Sequence, residues 1–346
     1  MSAKPINVGI AGLGRSGWNI HARLFDIVGT RKYRITAVYD PDMNRMKEAK
    51  DKYGCELYSS YRKLIAAPEV ELVVVAVPSH LHAKYTIDAL QCGKHVVCEK
   101  PMAGSVRQAD SMIRAAKKSG KVLTIFQNRR YQADFQQVKK IIDSGKLGRI
   151  VQIRMAQHKF TRRWDWQTLK KFGGGTTSNT AVHTLDQALQ LFGERMPKVF
   201  CLRDRALTLG DADDHVKIVL HGKGAPTIEV EETAACAYPQ NKWLIMGTRG
   251  GLTGSERELR WKYFKNKTLP RKEVEIEPIP DRTYINEKLP MVEKEWTSNV
   301  KGRQLEANFY NDLYRCIRAG GPVPVGAESV RRQIAILEKC RRMAPV

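Results

Sequence analysis

The sequence lacks any long hydrophobic run. Its longest apolar stretch, residues 72–78, reads LVVVAVP and is far shorter than the roughly 20 residues of a membrane-spanning helix. Only the residues MSAKP precede the first strand-like segment, which leaves no room for the apolar region of a secretory signal. We therefore expect a chain without a membrane span or a signal segment.

Cysteine is scarce and shows no pattern. An odd number of cysteines argues against a complete disulfide framework, and none of them has the spacing of a metal site. The seven cysteines are Cys55, Cys92, Cys98, Cys201, Cys236, Cys316 and Cys340. Scattered thiols of this kind favour a reducing, cytoplasmic location, and we expect no bound metal.

Acidic residues are few, with 36 Asp and Glu against 59 Lys and Arg, which gives a formal net charge of +23. Such a charge suits nucleic acid, an anionic surface or an anionic substrate. The densest basic stretch, residues 260–272, carries Trp261, Tyr263 and Phe264 between its charges, as nucleic-acid-binding segments do. The same alternation is typical of a half-buried strand. Because the other cations are spread along the chain, we favour a solvated surface over a nucleic-acid site.

The sequence does contain a regular alternation of strand-like and helix-like segments in its first part. Strands are predicted over residues 6–11, 34–39, 70–77, 96–98 and 122–126, with helices between them. This order predicts an α/β fold with a doubly wound parallel sheet. A chain of 346 residues also exceeds what one core usually supports. We therefore predict two domains, residues 1–126 and 127–346.

A glycine-rich turn comes after the first predicted strand. Gly12, Gly14 and Gly17 form G-x-G-x-x-G between a strand and a helix, and Asp40 ends the next strand. This context is typical of a dinucleotide-binding unit, in which the glycines admit a pyrophosphate and the acid binds the ribose hydroxyls. Asp40 would repel a 2′-phosphate, so the pattern favours NAD over NADP, although Arg45 lies close by in sequence.

The strand at residues 96–98 ends in Glu99, Lys100 and Pro101. Pro101 cannot join a strand ladder, so the acid and the amine lie at the carboxyl end of a parallel strand, where α/β sheets bind ligands. A partly desolvated lysine there would have a lowered pKa, suited to proton transfer. A surface ion pair is the alternative that these residues alone leave open.

From about residue 127 the pattern changes to a long helix and then to strands with one wet face. We expect one open, mainly antiparallel sheet with strands at residues 150–160, 198–203, 215–220, 227–235, 242–246 and 272–276. Two closing helices are predicted at residues 304–319 and 328–343.

A triple glycine at residues 173–175 precedes another helix. Its apolar residues lie on one side, whereas Asn179, His183 and Asp186 are spaced to lie on the other, one above the next. A solvated polar stripe is one interpretation. The other is a functional face, since His183 can exchange a proton near neutral pH.

These segments together resemble the glucose–fructose oxidoreductase and inositol dehydrogenase (Gfo/Idh/MocA) family. The resemblance spans nearly the whole chain and rests on GIAGLGRSG, VVVAVPSHLHAKYTIDAL, GKHVVCEKPMA, IIDSGKLGRI, the triple-glycine helix and WLIMGTRGGL. It implies a Rossmann domain and an α/β domain whose open sheet forms dimers or tetramers. It also implies NAD(P)-dependent oxidation or reduction of a sugar or cyclitol hydroxyl. We expect NAD-dependent hydride transfer between the nicotinamide and a secondary hydroxyl or keto group of a sugar, glycoside or inositol.

The resemblance assigns roles to individual residues. Lys100 and His183 fall on the family's catalytic pair. We expect substrate contacts from Asn179, Arg130, Arg163, Trp164, Asp165 and Trp166. We expect the cofactor to contact Gly12, Gly14, Arg15, Ser16, Gly17, Asp40, Pro78, Ser79, His82, Glu99, Lys100 and Gln127.

One position departs from the family pattern, because Asn179 stands where an aspartate is usual. An amide can hold a substrate hydroxyl but cannot take its proton, so proton transfer would fall to His183 and Lys100. Two alternatives therefore stay open. The chain could retain its NAD and process a glycoside in a redox-neutral reaction, or it could be an NAD-sensing regulatory protein that has lost turnover.

Overall fold

The computed structural model describes residues 4–265, 269–277, 282–300 and 302–346 and contains two β-sheets. The first is fully parallel, in the order β3-β2-β1-β4-β5-β6. Its strands are β1 (Ile6–Ala11), β2 (Tyr33–Tyr39), β3 (Glu56–Leu57), β4 (Leu72–Val75), β5 (His95–Cys98) and β6 (Leu123–Ile125). The predicted doubly wound parallel sheet is confirmed, with β3 as an additional short edge strand.

Helices connect these strands. A π-helical segment, Gly17–Ala22, leads directly into the first helix. Ser105 caps one of the others by accepting a hydrogen bond from the main-chain N–H of Gln108, and Gly120 ends that helix in a left-handed conformation. The helices are α1 (Arg23–Val28), α2 (Met43–Tyr53), α3 (Tyr61–Ala66), α4 (His82–Gln91) and α5 (Val106–Ser119).

The second sheet is large and mostly antiparallel, in the order β14-β13-β12-β11-β7-β10-β9-β8. Among the described strands of this second sheet, only β7 and β10 pair in parallel. The strand predicted at residues 150–160 is therefore antiparallel to one neighbour and parallel to the other. The strands are β7 (Ile150–His158), β8 (Lys198–Asp204), β9 (His215–His221), β10 (Thr227–Thr233), β11 (Trp243–Gly247), β12 (Gly250–Gly254), β13 (Glu258–Tyr263) and β14 (Val292–Thr297).

The prediction of a strand at residues 272–276 is wrong. That segment pairs with no strand of the described chain, and Val274 and Ile276 are almost fully exposed. The alternation of apolar and acidic residues there has no buried surface to pack against. The sheet edge is formed instead by β13 and β14. In β13 the alternation around Trp261 is that of a strand, with Tyr263 buried and Lys262 exposed.

The remaining helices join the two sheets. In the second half they are α6 (Ala133–Asp143), α7 (Thr176–Asn179), α8 (Ala181–Phe192), α9 (Gln304–Ala319) and α10 (Ala327–Met343). Helix α9 packs against α1, where the Tyr310 ring contacts Phe25. Helix α10 packs against α5 of the first half and β8 of the second. No helix among the described residues is long and apolar enough to cross a membrane.

Candidate active site

The glycine-rich turn leaves room for a ligand beside β1. A side chain on Gly12 would collide with the main-chain oxygen of Ala76, and one on Gly17 would collide with the main-chain oxygen of Gly12. Gly14, in contrast, has no atom within 4 Å of where its side chain would begin. The turn is thus tightly packed underneath and open above, which suits a pyrophosphate approaching the main chain.

A cavity of about 690 Å³ runs along this turn, and we call it the loop cavity. Asp40 lies at one end, where its carboxylate accepts hydrogen bonds from the main-chain N–H groups of Leu13 (2.6 Å) and Asp42 (2.9 Å). The half-exposed Arg45 lies 3.6 Å from the same carboxylate. Of the expected cofactor residues, the loop cavity is lined by Gly12, Gly14, Arg15, Ser16, Asp40, Pro78, Ser79, His82, Glu99 and Lys100.

His82 has a structural contact on each side of its ring. Its ring nitrogens lie 2.7 Å from the main-chain oxygen of Pro101 and 2.9 Å from that of Val77. Burial lowers its pKa, although both carbonyls and Glu99 act in the opposite direction. His82 therefore fixes the turn after β5 against the end of β4, in addition to lining the loop cavity.

Glu99 is buried and held by His21, whose Nε2 lies 3.1 Å from the carboxylate. The other ring nitrogen of His21 bonds the Tyr310 hydroxyl at 2.6 Å. Burial alone would raise the pKa of Glu99, but the His21 hydrogen bond and the charges of His21 and Lys100 lower it to about 2. Glu99 is therefore an anion. The sequence did not reveal His21, because its partners come from β5 and from α9 near the end of the chain.

Lys100 is connected to the second half of the chain. Its Nζ donates a hydrogen bond to the main-chain oxygen of Asn179 across 2.8 Å. Burial lowers the pKa of Lys100 to about 8, with Arg15 and Arg129 adding to the effect and Glu99 opposing it. The strand-end position predicted a perturbed lysine, and the structure places one there.

The predicted helical stripe of Asn179, His183 and Asp186 is only partly correct. The helix breaks at Thr180, so Asn179 ends α7 and the other two residues belong to α8. None of the three is solvated, with exposures of 9%, 8% and 2%. The solvated-stripe interpretation is therefore wrong, because α8 is covered by β10 on one side and by α10 on another.

His183 faces a second cavity of about 400 Å³, which we call the inner cavity and which also contains Lys100, Asn179 and Arg129. Its Nδ1 is buried and has no hydrogen-bond partner in the described ranges. Burial, together with the charges of Lys100 and Arg129, lowers its pKa well below the usual range. The imidazole is therefore neutral at neutral pH.

The segment at residues 160–166 lies between the two cavities. Arg163 lines both and is held by Asp165 in a two-pronged pair, with N–O distances of 2.9 and 2.8 Å. Asp165 and Trp166 line the loop cavity. Trp164 is 76% exposed and lines neither cavity. Three of the four residues predicted from this segment are thus gathered at the site.

Three other predicted residues lie away from the cavities. Arg130 forms a two-pronged ion pair with Asp186, both N–O distances being 2.7 Å. Gln127 is buried and donates to Gln333 across 2.9 Å. Gly17 lies beneath the glycine turn rather than in the cavity wall. No local pattern indicated the partners of Arg130 and Gln127, because those partners come from α8 and α10.

The chain matches two models of one protein family. Residues 6–127 match the model described as oxidoreductase family, NAD-binding Rossmann fold, and residues 135–253 match the Gfo/Idh/MocA C-terminal domain. The chain belongs to the Gfo/Idh/MocA oxidoreductase family. NAD is thus the cofactor of the Rossmann region, residues 6–127, and the open space above Gly14 fits the group.

Relatives of this Gfo/Idh/MocA chain include proteins named as dehydrogenases. The NADP⁺-dependent scyllo-inositol 2-dehydrogenase of Bacillus subtilis is 28% identical over 96% of this chain and 92% of its own. The myo-inositol 2-dehydrogenase of Thermotoga maritima is 28% identical over 71% of this chain and 74% of its own. The D-glucoside 3-dehydrogenase of Escherichia coli is 30% identical over 56% of each chain.

Solved structures share the fold. An NAD-binding protein from Listeria innocua superposes with a TM-score of 0.80 at 23% identity, over 99% of this chain and 98% of the other. The WlbA dehydrogenase of Bordetella pertussis, solved with NADH and UDP-GlcNAcA, superposes with a TM-score of 0.78 at 22% identity, over 99% and 96%. These proteins therefore share the fold of this chain, a Rossmann sheet with an open mixed sheet.

Proposed function

We propose that this chain is an NAD-dependent oxidoreductase that transfers a hydride between the nicotinamide and a secondary hydroxyl or keto group of a sugar, glycoside or inositol. One observation carries the proposal: the loop cavity and the inner cavity meet at Lys100 and Asn179. A substrate in the inner cavity would therefore present its reacting carbon next to the cofactor's ring.

The side chains at this junction have separate roles: one would accept the proton of the hydroxyl, and another would stabilise the negative charge on its oxygen. NAD, when bound, supplies the hydride acceptor. Neutral His183 would take the hydroxyl proton. Lys100, as an ammonium ion below pH about 8, would hold the same oxygen and stabilise the charge that develops on it. Glu99, fixed as an anion by His21, accepts a hydrogen bond from the main-chain N–H of Lys100 (3.0 Å), and its charge favours the ammonium form of the side chain.

The substrate class is supported by the polar lining of the inner cavity and by the relatives. Amide, hydroxyl and charged groups, including Asn128, Gln132, Gln167 and Thr180, dominate the wall. Such a surface suits a polyhydroxylated ring better than an apolar alcohol. Two of the relatives act, by name, on inositols and one on a glucoside.

The experiment is NAD⁺ reduction followed by the absorbance of NADH, against a panel of inositols, hexoses, glycosides and uronates. We expect turnover with at least one polyol and none with a simple secondary alcohol such as 2-propanol. If NADH binds but no member of the panel is oxidised, the protein is an NAD sensor without turnover, and the proposed enzymatic function is wrong.

We further propose that copies of the chain associate through the open face of the second sheet. On β8 and β11 the apolar side chains of Phe200, Leu202 and Met246 are exposed, whereas their neighbours along the strands are buried against the helices. Light scattering should give a molar mass larger than that of one chain. Leu202→Lys should lower this mass toward that of the monomer. A monomeric wild-type protein at micromolar concentration would contradict this.

A further inference from the structure

Apart from Arg15 of the glycine turn, two cations of the inner cavity have no partner that accounts for them. The half-buried Arg129 and the exposed Lys159 both line this cavity, together with Lys100 and His183. Across the described ranges, neither side chain forms a hydrogen bond or an ion pair. A half-buried guanidinium without a partner is costly, because the group gives up part of its hydration with nothing in return.

The fold brings these cations together from separate sheets. Arg129 comes after β6 of the parallel sheet, on the same edge as Lys100, which comes after β5. Lys159 comes after β7, where its N–H donates to the main-chain oxygen of Thr233 across 3.0 Å. The parallel pairing of β7 with β10 fixes this position, because Thr233 is the last residue of β10.

The acidic residues nearby are already matched. In the inner cavity Glu99 is bonded by His21 and Glu306 by Arg303. Arg129 and Lys159 also line an adjoining recess, whose acidic residues have partners of their own. Asp213 pairs with Arg203, and Asp214 accepts hydrogen bonds from main-chain N–H groups. Glu232 accepts a hydrogen bond from the hydroxyl of Thr184.

The charges of Arg129 and Lys159 act on the buried carboxyl group of Glu232, but neither cation forms an ion pair with it among the described contacts. Glu232 is 3% exposed and bonded to threonine hydroxyls of α8 and the preceding turn. Burial raises its pKa, whereas the hydroxyls, Arg129 and Lys159 lower it. The inner cavity therefore keeps a surplus of positive charge around the place assigned to the substrate.

We propose that the substrate is an anionic sugar or cyclitol, whose carboxylate or phosphate is bound by Arg129 and Lys159 while its hydroxyl reaches His183 and Lys100. A neutral polyol would leave both cations without a counter-charge. An arginine fork matches the two oxygens of a carboxylate or phosphate, and lysine adds a point charge. This inference deepens the proposed function, on which it rests for the place of the reacting hydroxyl.

The test compares ligands that differ in charge. D-Glucuronate, its neutral methyl ester, D-glucose and D-glucose 6-phosphate are titrated calorimetrically into NADH-loaded protein, and the same compounds are assayed for NAD⁺ reduction. We expect an anion to bind at least tenfold tighter than its neutral counterpart. Arg129→Gln and Lys159→Met should each weaken binding of the anion roughly 10- to 100-fold and bring the ratio toward one. Lys118→Met, an exposed lysine on α5, is the charge-matched control.

The outcomes separate the two proposals. A preference for glucuronate assigns the anion as a carboxylate, and a preference for glucose 6-phosphate assigns it as a phosphate. Equal affinity for charged and neutral ligands, or an anion preference that survives both substitutions, overturns the anion site even if neutral polyols are oxidised. If anions bind selectively but nothing is oxidised, the anion site stands and the proposed reaction falls.

Discussion

The amine of Lys100 and the main-chain oxygen of Asn179 are joined by a hydrogen bond of 2.8 Å, which ties the end of β5 to the end of α7. The carbonyl accepts from the amine in either of its charge states. It therefore positions Lys100 without fixing its protonation. This leaves the lysine free to change charge at the pH set by its surroundings.

Alcohol oxidation should depend on the charge of Lys100. Burial lowers the pKa of Lys100 to about 8, so the ammonium is present below that pH and is lost above it. If Lys100 holds the developing alkoxide as a cation, kcat should fall as the pH rises through about 8. Lys100→Arg should have a lower kcat but no such descending limb, because arginine stays charged. A kcat that rises through pH 8 would instead make Lys100 the base.

His183→Ala should lower kcat about 10²- to 10⁴-fold, the usual contribution of a general base. NADH binding should change little, since His183 lines the inner cavity and not the loop cavity. Steady-state assays of NADH formation measure kcat, and fluorescence titration measures the affinity for NADH. Together they separate an effect on turnover from an effect on cofactor binding. Nearly full turnover in His183→Ala would remove the histidine from the proton-transfer step.

Asn179→Asp should shift the pH dependence of kcat toward higher pH. A carboxylate at this position would raise the pKa of both Lys100 and His183, since it stabilises their cationic forms. The main-chain bond to Lys100 is unaffected by the substitution. Asn179→Ala is the control, because it loses only the side-chain hydrogen bond to the oxygen of Gln167 (3.2 Å) and adds no charge. An unshifted profile in Asn179→Asp would place this side chain outside the field of the reacting groups.

Cofactor choice should depend on Asp40. We expect NADH to bind at least tenfold tighter than NADPH, a difference of about 1.4 kcal/mol, because the carboxylate repels a 2′-phosphate. Asp40→Ser should narrow the gap, and Arg45→Ala, which removes the cation 3.6 Å from Asp40, should widen it. Calorimetric titration of both cofactors measures these ratios. Equal or tighter binding of NADPH by the wild type would contradict the role of Asp40.

Arg130 should matter for stability rather than for substrate binding. Its partner Asp186 is 2% exposed, and loss of Arg130 would leave that carboxylate buried and uncompensated. We expect Arg130→Ala to cost about 3–5 kcal/mol of unfolding free energy, as broken buried pairs do. Arg260→Ala, which breaks an exposed pair with Glu293, should cost at most about 1 kcal/mol. Denaturant unfolding measures the free energy of unfolding of both variants. If Arg130→Ala instead raises KM and leaves the stability unchanged, Arg130 is a substrate contact after all.

Features carried by short stretches of chain were predictable. The glycine turn, Asp40 and Lys100 each depend on where a strand ends and on the residues immediately after it, and such signals are local in the sequence. The same local signals produced the failed strand at residues 272–276. Alternation shows only that a strand could bury one face, and here no other element of the described chain covers that face.

The sequence by itself determined the parallel sheet, the dinucleotide turn and the placing of Lys100 at the site, because each depends on the order of neighbouring segments. Tertiary structure alone decided which residues meet there. Lys100 and Asn179 are 79 positions apart, and His21 and Tyr310 are 289 apart. Arg129 and Lys159 come from different sheets. Their contacts depend on how the two halves pack, and side chains of the same type with other neighbours, such as Arg130, form structural pairs instead.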